Sequence, residues 1–170
     1  MNNIQEEIRR LKNNKPNHTE YSGKMKVSLT SSYKTDLEPI IAKITNILLV
    51  IFKNSEDQWP TLEEWEQLFP NWFIKKFVAD MTKEEAEKWL KKWRKMSLKK
   101  KAKIKENMKW SLPDWIYWFE PENREWEYHS ISEIKKDSFD FNILVDGWPF
   151  PHEAIDWLLK SCGVSNIIIK

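Results

Sequence analysis

From Phe139 to Leu159 the sequence spells a strand, a rigid turn and a helix. Phe139, Phe141, Ile143 and Val145 alternate with Asp140, Asn142, Leu144 and Asp146. That is the period-2 pattern of a strand with one dry face. Gly147 breaks the pattern, and Trp148-Pro149-Phe150-Pro151 follows. Two prolines fix two φ angles and push the residues before them toward extended geometry. A helix then starts near His152, carries Ala154, Ile155, Leu158 and Leu159 on one stripe, and ends at Gly163.

The neighbouring segments extend this unit. Trp126, Tyr128 and Ser130 alternate with Glu127, His129 and Ile131, a second strand expected to pair antiparallel with the first as a hairpin. Val164 to Ile169 adds an edge strand. The C-terminal order is therefore β-β-α-β.

Upstream the pattern is helical. Thr35 with Glu38 reads as a capping box ahead of Leu37, Ile40, Ile41, Ile44, Ile47, Leu48 and Ile51. The end of that run is apolar all round, as in a central buried helix, although its β-branched residues leave a strand over Ile47 to Phe52 as the alternative. Thr61 with Glu64 and Thr82 with Glu85 make two further boxes, and Ser111 with Asp114 opens a helix over Leu112 to Phe119. After Thr82, the residues Ala86, Trp89, Leu90, Trp93 and Met96 form an i, i+3, i+4, i+7 stripe, which predicts that both indoles face the core. Helices and strands segregate, so the fold class is α+β: N-terminal and central helices, then β-β-α-β with a small antiparallel sheet. Residues 1–35 read as a polar arm, with a short amphipathic helix around Ile4, Ile8 and Leu11 and an edge strand over Lys24 to Leu29. Residues 36–170 read as a single domain.

Eleven tryptophans stand against three glycines, and none of them precedes Trp59. A buried aromatic ring withdraws ~150–250 Å² from water, ~4–6 kcal/mol of gross burial each. Such a chain packs its helices around rings. The motifs WLKKWR from Trp89, SLPDWIYWFEP from Ser111 and DGWPFP from Asp146, with a following WLL and Gly163, resemble an uncharacterised family of bacterial Trp-rich proteins over roughly residues 59–163. The resemblance implies a shared fold and carries no activity or site residue with it. His152-Glu153 departs from that pattern, where an aromatic and a small residue are expected.

Charge is unevenly placed. Residues 83–109 hold 12 basic and 4 acidic side chains, net +8, whereas residues 110–170 hold 5 basic and 11 acidic, net −6. Cys162 is the only cysteine, so no internal disulfide forms. The start of the chain, with Glu6, Glu7, Arg9 and Arg10, has no apolar run of the signal-peptide kind. The longest apolar run, Ile40 to Phe52, would span ~20 Å as a helix against the ~30 Å of a bilayer core. A cytoplasmic protein that does not engage membranes is expected.

No glycine-rich phosphate loop, G-x-S-x-G or C-x-x-C is present. A Cys162 nucleophile paired with His129 or His152 is disfavoured by the helix C-terminus that holds the thiol. The histidines lack metal-ligand spacing. No catalytic residue, metal or cofactor is expected. An enzyme of unrecognised class stays as the third reading. The first is a non-enzymatic macromolecule-binding protein of the immunity or inhibitor type. Its partner would be another protein, held on an acidic aromatic surface built from Glu125, Trp126, Glu127, Tyr128, Asp140, Asp146, Trp148 and Phe150. The alternative is a nucleic-acid-binding protein using Lys88, Lys91, Lys92, Lys95, Lys99, Lys100, Lys101 and Lys103.

Overall fold

A computed structural model describes residues 4–14, 23–107 and 109–170. Among them the chain runs α1 (Ile4–Asn13), β1 (Met25–Tyr33), α2 (Leu37–Lys53), α3 (Leu62–Leu68), α4 (Asn71–Ile74), α5 (Lys83–Arg94), α6 (Leu98–Glu106), α7 (Leu112–Tyr117), β2 (Trp126–Ser132), β3 (Ser138–Val145), α8 (Glu153–Ser161) and β4 (Val164–Ile169). The fold is α+β, with a four-stranded antiparallel sheet in the order β2-β3-β1-β4. No helix among the described residues is long and apolar enough to cross a membrane.

The sheet has one dry face. Leu29 lies opposite Phe141, and Val27 opposite Ile143. On the other flank of β3, Trp126 faces Val145, Tyr128 faces Ile143 and Ile131 faces Phe141. The spacing of these β2 residues is not strictly alternate. An irregularity between Tyr128 and Ser130 shifts the register, and this returns Ile131 to the apolar side. The opposite face carries hydrogen-bonded polar side chains, with Ser28 Oγ donating to Asn142 Oδ1 at 2.7 Å and Thr30 Oγ1 to Asp140 Oδ1 at 2.7 Å.

Helix α2 supplies Ile40, Ile44, Ile47, Leu48, Ile51 and Phe52 to the core, all buried, which settles Ile47 to Phe52 as helix. Its cap differs from expectation. Asp36, in extended geometry, occupies the N-cap, and its side chain makes no capping bond, so Thr35 lies one residue too early. Both other T-x-x-E boxes form, at Thr61/Glu64 and Thr82/Glu85, and Ser111 caps α7 through the Asp114 N–H. Behind α8 the chain turns at Gly163, with φ +120°, where a Cβ would stand 3.0 Å from Ile40 Cγ1. Only glycine tolerates both that conformation and that approach.

An aromatic cluster fills the space among α3, α4, α7 and α8. Trp115 is fully buried at its centre, within 4.3–6.1 Å (ring centroids) of Phe69, Phe73, Phe77, Phe119 and Trp157. Its indole N–H donates to the Ala154 carbonyl at 2.9 Å, joining α7 to α8. Several offset and edge-on ring pairs each add ~0.5–1.5 kcal/mol beyond area burial.

Two readings of the N-terminal third change. The strand after residue 23 is not an edge. β1 lies between β3 and β4, because its alternate residues Val27, Leu29 and Ser31 are buried. Helix α1 is also part of the body, with Glu7, Ile8 and Leu11 buried. The loop expected over Asn13 to Gly23 lies mostly outside the described residues. β4 is an edge strand, as its sequence predicts.

Candidate functional site

The acidic aromatic surface is largely dismantled by burial. Trp126 is 3 % exposed and Tyr128 1 %, because both occupy the dry face of β2. Phe150 is 5 % exposed, tucked under the turn that follows β3. These three are interior residues and cannot anchor a partner. Trp148 is the exception, 57 % exposed at the tip of that turn. Its ring lies nearly parallel to His152 (13°, 6.3 Å) and edge-on to Phe150 at 5.6 Å. Asp146 beside it is open to solvent, as is Glu125. Asp140 turns to Thr30 and Glu127 to Lys24, whose Nζ is 2.6 Å from Glu127 Oε1. Asp140 and Glu127 thus share the polar sheet face, and Lys24, 3.7 Å from Asp146 Oδ1 as well, puts a cation between Glu127 and Asp146.

The basic segment changes in the opposite direction. Thr82 and its box start α5, and a second helix begins after Ser97, whose hydroxyl accepts from the Lys100 N–H. That cap in the sequence marks the break between α5 and α6. Neither helix contains a single buried residue. Trp89 and Trp93 are half-buried, 6.0 Å apart, and Lys101 Nζ sits 5.5 Å over the Trp93 ring. The expectation that these indoles face the core is corrected. Their stripe is covered only in part, and Leu90 and Leu98 are 49 % and 85 % exposed. Lys88, Lys91, Lys92, Lys95, Lys99, Lys100 and Lys103 are exposed and Lys101 half-buried.

Where α6 ends, a cleft of about 660 Å³ opens toward α7, α8 and the turn. Its aromatic wall is Trp110, Trp118, Phe150 and Trp157. Lys105 and Lys160 stand at it as cations, and Glu106, Glu153 and Asp156 as anions. Asp156 Oδ2 is 2.9 Å from His152 Nδ1, while Oδ1 is sealed from solvent with no hydrogen-bond partner among the described residues. That hydrogen bond holds the His152 imidazole above its ordinary range. A second depression of about 580 Å³ runs along α2 past Leu37, Ile41 and Leu49, but offers little beyond aliphatic surface. Concave sites that combine rings with a few polar groups are the usual place for a ligand.

This cleft is not evident in the sequence, because helices some 50 residues apart enclose it. A faint signal exists. Trp118 and Trp157 lie off the buried stripes of their helices, Leu112/Trp115/Ile116 and Ala154/Ile155/Leu158/Leu159. Large rings off the stripe need another use.

The nucleophile reading finds a buried thiol. Cys162 is 1 % exposed, and burial pushes its pKa up to about 12. His129 is 7 % exposed, with its imidazole pushed down to about 4 by burial and by Arg10 and Lys26. In comparisons with known proteins the chain matches no family model, no curated protein and no solved structure.

Proposed function

We propose that this protein works by binding another macromolecule without transforming it, and that nucleic acid, held along α5 and α6, is its target. One observation carries this reading. A segment of net +8 forms two capped helices that give no residue to the core. Its exposed lysines, all but Lys101, are therefore open to a polyanion. Each phosphate neutralised by lysine or arginine releases condensed counterions, which makes such binding strong at low salt and steeply salt-dependent. One ring stands beside this charge, with Lys101 Nζ 5.5 Å over Trp93.

The test is a salt titration of binding to a generic duplex and to single-stranded DNA, with wild type and a Lys91→Glu/Lys92→Glu variant. Both lysines are exposed, so the variant keeps its fold. The slope of log K against log salt should shrink in the variant by about 0.9 per lost contact on duplex. No binding at low salt, or identical slopes, would sink the reading.

A second reading rests on Trp148. An indole 57 % exposed on a two-proline turn, beside the open carboxylate of Asp146, suits an anchor for a protein partner, as in an immunity or inhibitor protein. Trp148→Ala should abolish co-purification of one defined protein. An unchanged set of co-purifying proteins removes it.

A further inference from the structure

We infer that the cleft between α6, α7 and α8 takes an unpaired base of a single-stranded nucleic acid. This rests on the nucleic-acid reading above and deepens it.

The cleft begins where the basic segment ends, since Lys105 and Glu106 are both the last residues of α6 and part of its lining. A strand tracking the lysines therefore arrives at the rings. Charge then narrows the ligand. A simple cation would meet Lys105 and Lys160, and a simple anion would meet Glu106, Glu153 and Asp156. A nucleotide satisfies both sets. Its phosphate pairs with the lysines, its flat face stacks on indole, and its ring and amino N–H groups donate to carboxylates. Asp156 lines the cleft, and its Oδ1 has no hydrogen-bond partner among the described residues. Aromatic side chains stack on any base, so sequence preference should be weak. A cleft of about 660 Å³ is roomy enough for one nucleotide. Bases in a duplex are already stacked and do not reach such a wall.

The experiment measures anisotropy of a labelled single strand and of the duplex of equal length on the full chain. Wild type should prefer the single strand by roughly tenfold, the size of one base–indole stack. Trp118→Ala should remove that preference and keep the salt slope that α5 and α6 set. Circular dichroism checks its fold. Should Trp118→Ala unfold, Lys160→Glu decides, since this exposed residue lies at the cleft and away from α5. It should weaken the single strand more than the duplex. Equal affinity for both nucleic acids in wild type, or an unchanged preference in the folded variants, overturns the cleft while leaving the basic helices as the binding surface. No binding of either nucleic acid at low salt overturns both.

Discussion

Arg124 grips Glu7 with two hydrogen bonds, 2.7 and 2.8 Å, and both side chains are 1 % exposed. The guanidinium also lies 4.6 Å from the Phe52 ring centre and 5.2 Å from that of Trp126. Glu7 Oε2 accepts a third bond from the Tyr128 N–H. One buried pair thus ties α1 to β2 and to the end of α2.

Breaking that pair strands a charge in a dry place. Glu7→Gln or Arg124→Met should each lower stability by about 3–5 kcal/mol. The double variant Glu7→Leu/Arg124→Met should recover part of the loss, since no lone charge then remains. Urea denaturation of the four proteins checks this. A single-variant loss under 1 kcal/mol would mean that water reaches the pair.

Two buried indoles should differ. Trp115 donates its N–H to the Ala154 carbonyl, whereas the Trp65 N–H is buried with no partner among the described residues. A buried hydrogen bond contributes about 1 kcal/mol net. Trp115→Phe should therefore cost about 1 kcal/mol more than Trp65→Phe. Equal losses would show that ring volume alone matters. Trp115→Ala, which opens a cavity at the hub, should cost about 3–5 kcal/mol.

The two described histidines should titrate on opposite sides of 6.5. His152 is raised by its bond to Asp156, so the stability it adds is fully present below 6.5 and fades as pH rises through the folded value. His129 is depressed to about 4 by burial. The unfolded chain takes a proton there between 6.5 and 4 that the folded chain refuses, so stability falls as pH drops through that window. NMR of the ring protons reads both midpoints, and coincident midpoints near 6.5 would refute the assignment. His129→Gln should flatten the acid limb, and Asp156→Asn should bring the His152 midpoint down.

Cys162 should be silent toward thiol reagents in the native protein, with its thiol buried and held near 12. Reaction should appear only at denaturant concentrations that unfold the chain. Fast labelling in native buffer would mean that the α8 end opens locally.

Local chemistry was legible where it acts within a few residues. The Thr61, Thr82 and Ser111 caps and the alternation of β3 all follow from interactions spanning four residues or fewer. The misplaced cap at Thr35 shows the limit, because Asp36 is an equally good candidate and the pattern shifts by one.

From the residues alone came most of the elements, though not the break that makes α6 a separate helix, together with the α+β class, the hairpin, and the concentration of basic charge in residues 83–109. Which rings are inside was decided by tertiary packing. Trp126 and Tyr128 alternate with polar neighbours as surface residues also can, and it took β3 and the Glu7–Arg124 pair, 117 positions apart, to bury them. Trp89 and Trp93 have a core-like stripe, yet it is covered only in part and neither ring is buried. Burial depends on what arrives from elsewhere in the chain, and periodicity reports only which side of an element is ready to be covered.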